Sequence, residues 1–184
     1  MAKDFSAVSV AVRPGDLILY HFEGFQFFAD AVEWFEGDGE VSHCSTALLP
    51  DGTIADARIT GIHREHVSRY FKDNAEITVR RIKGMSGDDL DALVFQTALD
   101  IGKPYGFLKL MWNMFALMMQ KVGLGRLFWT NNPFRSEDQG HTCSGLYAVK
   151  AARIGKILVP GKDPENVTPD DLYYSQAMET VVIV

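Results

Sequence analysis

The order of the predicted elements along the 184-residue chain indicates an α+β fold. Strand-like segments occupy the first half, two helical segments follow, and a last strand-like segment, ETVVIV, ends the chain. Strands that are grouped in this way favour an antiparallel sheet packed against helices over a doubly wound parallel sheet. No repeat and no low-complexity linker interrupts the sequence, so we expect a single domain over residues 1–184.

The strands of the first half follow from apolar runs between turn residues. The run LILYHF, which comes after the turn RPGD, predicts a buried strand. Residues 45–49 and 53–57, joined by the turn PDG, predict a hairpin. The segment EITVRRI at 76–82 alternates apolar and polar residues well enough for a further strand.

Two segments carry the start and stop signals of helices. Residues 86–101 begin with Ser86 as a candidate N-cap, continue with acidic residues in the first turn, and have apolar residues at helical spacing. Gly102 is suited to end this helix. Residues 142–154 predict the second helix, and Gly155 is its terminator.

Charge and cysteine content exclude several classes of protein. Lys and Arg number 18 and Asp and Glu number 24, so the formal net charge is −6, which argues against broad binding of nucleic-acid phosphates. Two cysteines allow at most one internal disulfide, so reducing conditions are the simpler assumption. The first residues lack the apolar core of an export signal. We therefore expect a cytoplasmic protein, with a phage-borne or non-classically exported one as alternatives.

The most apolar stretch covers residues 107–129. Polar and charged residues interrupt it, so we do not expect it to cross a membrane, and we expect no integral membrane protein. If the stretch is helical, Lys109, Asn113 and Gln120 fall near one face and leave a wide apolar surface. That surface could belong to a core helix, contact a second copy, form a lid or wall of a cleft, or contact lipid. The sequence leaves these alternatives open.

Cys143 is the candidate nucleophile. It lies in HTCSG at the start of the second predicted helix, where unpaired backbone N–H groups and the helix dipole stabilise a thiolate. The same N–H groups can serve as an oxyanion hole. The alternative is that Cys143 is a small buried hydrophobic residue. Cys44 competes for the role, but it follows His43 on a strand and should point to the opposite face, into the core.

His43 is the candidate base. It lies at the mouth of the predicted strand 45–49, where a neutral imidazole could take a proton from a thiol. A third group should orient the ring, and Asp56 on the return strand is suited to do so. Residues 43 and 56 flank the hairpin turn, so we expect them to lie roughly opposite each other. Taken alone, each residue could instead be an ordinary histidine or edge-strand acid.

No metal or cofactor site is predicted. His63 and His66, in HREH, have the i,i+3 spacing of one helical face, but no further ligands occur at the spacings that zinc sites need. The sequence contains neither a phosphate-cradling glycine-rich loop nor a GxSxG motif. We therefore expect no metal, no cofactor and no nucleic-acid partner.

Taken together, these motifs resemble the NlpC-type cysteine peptidases of the papain-like superfamily, in circularly permuted order. In that family a GxPYxG-like segment precedes the nucleophile motif DCSGL, and GDL, SH and a polar residue before Ala follow it. Here GDL at 15–17, SH at 42–43 and DA at 56–57 precede GKPYG at 102–106 and TCSGL at 142–146. The late segment TPDDL is similar to one near the end of permuted members, a branch that also includes the lecithin:retinol acyltransferase-like enzymes.

The resemblance implies a circularly permuted papain-like fold and a role for each motif residue. Cys143 corresponds to the nucleophile, His43 to the base and Asp56 to the residue that orients the base. Tyr105 matches the family tyrosine beside the nucleophile, and we expect Tyr105 and Ser144 to contact the substrate or the oxyanion.

Three features depart from the family pattern. Asp56 stands where many relatives have His, Glu or Asn, although a carboxylate still accepts the imidazole N–H. Thr142 replaces the Asp that often precedes the nucleophile. Residues 107–140 form an insertion before the nucleophile helix that is much longer than in the family, and it contains the apolar stretch.

We expect a cysteine peptidase or amidase that hydrolyses an amide bond in a small peptide through a thioester acyl-enzyme. The resemblance implies a substrate such as a peptidoglycan stem peptide. A lipid acyltransferase or thioesterase that uses the same Cys–His site is the first alternative, and the segment 107–129 could then bind the acyl chain, a lipid surface or a second copy. A catalytically silent binding module is the other alternative.

Overall fold

The computed structural model describes residues 11–21, 41–71, 76–121, 123, 133 and 140–183. Within these ranges the chain is α+β, as the element order predicts. The expectations about an export signal and about much of the second half of the insertion lie outside the described residues.

A six-stranded antiparallel sheet forms the centre of the described part of the chain, and its spatial order is β4-β3-β2-β1-β5-β6. The bounds of the strands are β1 Leu17–His21, β2 His43–Ala47, β3 Thr53–Arg58, β4 Gly61–His66, β5 Glu76–Ile82 and β6 Met178–Ile183. The strand β6 from the end of the chain therefore closes one side of a sheet whose other five strands come from the first half.

The helices that accompany the sheet are α1 Ser68–Phe71, α2 Gly87–Ala98, α3 Phe107–Lys121, α4 Cys143–Arg153 and α5 Pro169–Tyr173, with a 3₁₀ helix at Pro164–Asn166. Ser86 caps α2 in a reciprocal capping box, as its sequence predicts. Thr142 caps α4. Both predicted helices are therefore present, and each is shorter at its ends than its sequence pattern.

The hairpin has a longer turn than the sequence predicts. The N–H groups of Leu48 and Leu49 both donate to the carbonyl oxygen of Thr53, so β2 ends at Ala47. At its other end β2 begins at His43, two residues earlier than the sequence predicts. The interpretation of HREH as a helical face is wrong, because these residues lie in β4 and pair with β3. Side chains three residues apart on a strand point to opposite faces, so His63 and His66 do not converge.

The two faces of the sheet bury different residues. Leu17, Leu19 and Cys44 lie in the cluster that packs against α4. Ile18 and Tyr20, which alternate with them along β1, belong to the cluster on the other face. The helix α4, which begins at Cys143, therefore lies on the Cys44 face of β2.

The helix α3 buries a lysine and exposes part of its apolar surface. Lys109 is only 1% exposed, whereas its apolar neighbours Phe107, Leu108, Met111, Phe115 and Met118 are exposed. Lys109 faces inward because its Nζ lies 3.0 Å from Oε2 of Glu165. The Asn113 and Gln120 side chains lie outside the described part of the chain. Among the helices of the described ranges, none has the length and hydropathy that a membrane-spanning helix requires.

Candidate active site

The β2–β3 hairpin brings His43 and Asp56 together. Ser45 is the residue directly opposite Asp56, so His43 lies diagonally across the two strands, on the same face because it is two residues from Ser45. The expected direct pairing of 43 and 56 is therefore shifted by two residues. The side chains nevertheless meet, with Nε2 of His43 at 2.7 Å from Oδ1 of Asp56.

Asp56 is buried and bonded through both carboxylate oxygens. Its Oδ2 accepts a hydrogen bond from the Tyr70 hydroxyl at 2.6 Å and lies 3.1 Å from Nε of Arg58. Burial raises the pKa of Asp56, but the hydrogen bonds from His43 and Tyr70 and the charge of Arg58 outweigh burial and lower it. Asp56 is therefore a carboxylate that holds the imidazole in a fixed orientation.

Two tyrosines confine the His43 ring. The Tyr20 ring stacks on it at a centroid distance of 5.7 Å, and the Tyr70 ring lies at 5.8 Å. Tyr20 is itself held by a 2.6 Å hydrogen bond between its hydroxyl and Ser45 Oγ. The imidazole retains 17% exposure, so solvent or substrate can reach it.

Cys143 is the first residue of α4, where the helix cap leaves its side chain beside β2. Thr142 Oγ1 accepts a hydrogen bond from the N–H of Gly145 at 3.1 Å. A Cβ atom at Gly145 would lie 2.8 Å from that oxygen, so this cap requires glycine. Cys143 is half-buried and packs against both the cluster that contains Cys44 and the cluster that contains Tyr105.

The thiol and the imidazole shift each other's pKa in the direction of an ion pair. The hydrogen bond from Cys44 lowers the pKa of Cys143, burial opposes it, and the hydrogen bond and charge of His43 bring it well below the ordinary thiol value. Burial lowers the pKa of His43, but Asp56 and then Cys143 raise it to about 10. Because Nε2 is bonded to Asp56, Nδ1 is the ring nitrogen left for the thiol. Both shifts favour the thiolate–imidazolium form of the pair.

Two loops meet backbone to backbone in front of α4. Gly106 N–H donates to the carbonyl of His141 at 3.0 Å. Gly140 has φ +77°, and a Cβ atom there would lie 2.0 Å from the carbonyl oxygen of Pro104. This approach is open only to glycine, which explains why glycine ends the GKPYG segment and precedes the nucleophile motif.

The same contact places Tyr105 at the nucleophile. Its hydroxyl accepts a hydrogen bond from the backbone N–H of Cys143, and burial followed by the charge of Cys143 raises its pKa well above the ordinary value. Tyr105 is therefore a neutral phenol that already occupies one N–H of the helix start. Ser144 is buried, and its hydroxyl donates to the Val167 carbonyl at 2.6 Å, which leaves only its backbone N–H for an oxyanion.

A buried ionic network lies behind the nucleophile motif. His141 is fully buried, with Nε2 at 3.5 Å from Asp100 Oδ2 and Nδ1 at 3.3 Å from Glu165 Oε1. Lys150 of α4 pairs with Asp100 at 2.5 Å, and Lys109 of α3 pairs with Glu165. The network connects the segment after α2, the helices α3 and α4, and the 3₁₀ helix to His141, the residue before the cap of α4.

Sequence reasoning missed this network and three residues around the base. The network joins positions far apart in the chain, and its only local signals are two lysines, Lys109 and Lys150, within apolar segments. Arg58 lies two residues after Asp56, so the strand period could have placed it on the same face. Tyr20 stands in a strand that was expected only to be buried. Tyr70 lies in α1, a helix with too few residues to have a recognisable pattern.

The histidines of β4 have ordinary partners. His63 Nε2 lies 2.9 Å from Thr60 Oγ1, and His66 bonds to the Asp51 carbonyl and to the Ser68 hydroxyl. In the ranges that the structure describes, no group of three or more His, Cys, Asp or Glu side chains is arranged to hold a metal ion.

Comparison with known proteins identifies no relative of this chain: no family model matches it, and no curated protein matches it with significance.

Proposed function

We propose that this protein is a cysteine-dependent hydrolase that cleaves an amide bond in a small peptide through a thioester acyl-enzyme. One observation carries the proposal: Nε2 of His43 lies 2.7 Å from the buried Asp56, and His43 is among the groups that lower the pKa of Cys143 at the start of α4. A nucleophile, a base and a group that orients the base in this arrangement are the parts that acyl transfer needs.

The reaction proceeds in two steps with these groups. The Cys143 thiolate attacks the amide carbonyl, and the imidazolium of His43 gives its proton to the leaving amine as the carbon–nitrogen bond breaks. His43, now neutral, takes a proton from water, the resulting hydroxide attacks the thioester, and the thiolate leaves. Asp56 stays ionised throughout and stabilises the imidazolium.

The resemblance to permuted NlpC-type peptidases supports the finer parts of the proposal. It covers the order of the motifs from about residue 13 to residue 172, and a six-stranded antiparallel sheet with helices is compatible with the α+β class that such a fold requires. We accordingly propose one permuted papain-like domain with an insertion at 107–140. The substrate class, a small peptide such as a peptidoglycan stem peptide, comes from the resemblance alone.

A lipid acyltransferase or thioesterase is the second candidate, and the outer face of α3 favours it. We call this face, formed by Phe107, Leu108, Met111, Phe115 and Met118, the apolar stripe. The helix begins directly after Gly106, whose N–H bonds to the loop that precedes Cys143. An exposed apolar surface next to an acyl-transfer nucleophile is where an acyl chain or a lipid surface would bind.

One experiment separates the two candidates. The full chain is incubated with peptides that contain D-amino or side-chain-linked amide bonds, and separately with acyl esters in the presence and absence of phospholipid vesicles. Acid-quenched samples are analysed by intact-mass spectrometry for a thioester on Cys143. We expect a peptidyl adduct and a released amine, both absent in Cys143→Ser and strongly reduced in His43→Ala.

The control is His66→Ala, which removes a histidine from the exposed end of β4 and should react like the wild type. A fatty-acyl adduct that forms only with vesicles, without peptide cleavage, would replace the hydrolase with the acyltransferase. A chain that forms neither adduct, and whose Cys143 titrates as an ordinary thiol, contradicts both candidates.

A further inference from the structure

The only two cysteines of the chain meet at the proposed nucleophile. Cys44 lies on β2 directly after His43, on the face of the sheet that packs against α4. Cys143 packs against the same core cluster, the Cys44 side chain is the largest influence that lowers the pKa of the Cys143 thiol, and neither cysteine is in a disulfide.

The two thiols differ in access to solvent. Cys143 is half-buried, whereas Cys44 has no exposed surface. A small oxidant from solvent therefore reaches Cys143 first, whereas the Cys44 sulfur is buried in the core behind it. This order, an accessible thiolate in front of a protected thiol, is the arrangement in which an oxidised cysteine is resolved within the same chain.

We propose that Cys143 and Cys44 form a reversible peroxide-sensitive disulfide that switches the site off. The first step transfers one oxygen: the Cys143 thiolate attacks hydrogen peroxide, the O–O bond breaks, Cys143 becomes a sulfenic acid, and the leaving hydroxide takes the imidazolium proton of His43 to become water. In the second step the Cys44 sulfur attacks the sulfenic sulfur. The hydroxyl leaves with the thiol proton of Cys44 as a second water, and the disulfide remains.

The balance requires one molecule of peroxide as the two-electron oxidant and two thiols as the reductant. Because Cys143 packs against the core cluster that contains Cys44, closing the bond needs the first turn of α4 and β2 to bring the two sulfurs to bonding distance. Disulfide formation also competes with the irreversible step from sulfenic to sulfinic acid. A dithiol reductant reverses it, so the switch would protect the nucleophile as well as silence it.

The test uses the reduced full chain and hydrogen peroxide in small excess. The protein is then denatured, alkylated and weighed by intact-mass spectrometry, with and without dithiothreitol. We expect both alkylatable thiols to be lost together, a mass lower by two hydrogen atoms, a monomer on a non-reducing gel, and full recovery with dithiothreitol. A wild-type chain that gains two oxygen atoms while Cys44 stays alkylatable overturns the proposal, and so does a disulfide between two chains.

Cys44→Ser and Cys44→Ala are the matched variants. Ser keeps a hydrogen-bonding group and Ala keeps an apolar one, so at least one should suit the buried position, which near-ultraviolet circular dichroism checks. Under the same treatment each should accumulate a dimedone-reactive sulfenic acid on Cys143 and then a sulfinic acid that dithiothreitol does not reverse. If the variants resist overoxidation as the wild type does, Cys44 is not the resolving thiol.

Only the loss of activity in this proposal rests on the proposed function. The disulfide is detected by intact-mass spectrometry, and this measurement does not require any substrate. A chain that cleaves peptides but forms no internal disulfide refutes the switch and leaves the hydrolase intact. A chain that closes the disulfide but has no activity supports the thiol pair and refutes the hydrolase.

Discussion

Replacing Asp56 with Asn tests the electrostatics of the site most directly. The substitution keeps the size and shape of the side chain and removes the negative charge that lies 2.7 Å from His43. The pKa of His43 is raised from 6.5 to about 10, a difference that corresponds to roughly 5 kcal/mol. Burial works against this shift, Asp56 is the largest of the opposing contributions, and Cys143 supplies the rest. An opposite charge this close typically shifts a pKa by about 1–3, so we expect Asp56→Asn to lower the pKa of His43 by that order.

NMR titration of the histidine ring signals measures the pKa of His43. The chain has five histidines, and the His43 signal is the one that is absent from the spectrum of His43→Ala. The pH titration is recorded for the wild type, for Asp56→Asn, and for Asp51→Asn, which removes an exposed carboxylate from the far end of the same hairpin. A wild-type His43 that titrates near 6.5, or that is unaffected by Asp56→Asn, refutes the ion-pair reasoning.

The charge of Asp56 should also determine how the free energy of unfolding depends on pH, because it raises the pKa of His43 in the folded state. A group whose pKa is raised on folding stabilises the native state fully below its unfolded value and loses that contribution as the pH rises through the folded value. Cys143 contributes in the opposite sense, so Cys143→Ser isolates His43. In that variant we expect the free energy of unfolding to fall as the pH rises above 6.5. In the double variant with Asp56→Asn, denaturant titrations should show a weaker fall.

Three further substitutions test the contacts around the site. Tyr70→Phe removes the hydroxyl that donates to the buried carboxylate and should lower the free energy of unfolding by about 2 kcal/mol in urea titration. Gly140→Ala should abolish Cys143 alkylation at neutral pH because the added Cβ clashes with the backbone of Pro104. Gly155→Ala has nearly the same positive φ but open space around it, so it should keep the alkylation and lower the free energy of unfolding by only about 1 kcal/mol. Glu165→Gln leaves Lys109 buried without its opposite charge and should lower the unfolding free energy by about 3–5 kcal/mol. If Gly140→Ala and Gly155→Ala reduce Cys143 alkylation equally, the interpretation of the Gly140 contact is wrong. If Glu165→Gln lowers the free energy of unfolding by less than about 1 kcal/mol, the interpretation of the Lys109 ion pair is wrong.

Local patterns predict the parts of this protein that depend on neighbours in sequence. The capping residue Ser86 is confirmed because a cap satisfies N–H groups only two or three positions away. The hairpin is present for the same reason, since its turn and both strands lie within sixteen residues of one another. The strand period then brings His43 and Asp56 to one face even though the register differs from the prediction.

The missed features depend on partners that are distant in sequence. The strand β4 has no hydrophobic alternation of its own beyond its first residues, and its pairing with β3 determines its structure. Arg58 and Tyr70 converge on one oxygen of Asp56 only after β3 and α1 are in place. The contact of Cys44 with Cys143 spans about a hundred residues, and alternation on the strand correctly predicts its burial without indicating what it meets there.

The helix α3 shows why a hydrophobic pattern alone does not determine which face of a helix is buried. A buried lysine is unfavourable unless an opposite charge meets it, and an exposed row of large apolar residues is unfavourable in water. Glu165 supplies the opposite charge for Lys109, and it also lies 3.3 Å from His141, two residues before the nucleophile. The ion pair therefore fixes the start of the insertion against the segment that carries Cys143, and it holds the apolar stripe outward beside the site. An apolar partner, an acyl chain or a second copy of the chain would offset the exposure that this arrangement leaves. Substituting polar residues for the apolar stripe should therefore change which substrates the site accepts more than it changes the reactivity of the Cys143 thiol.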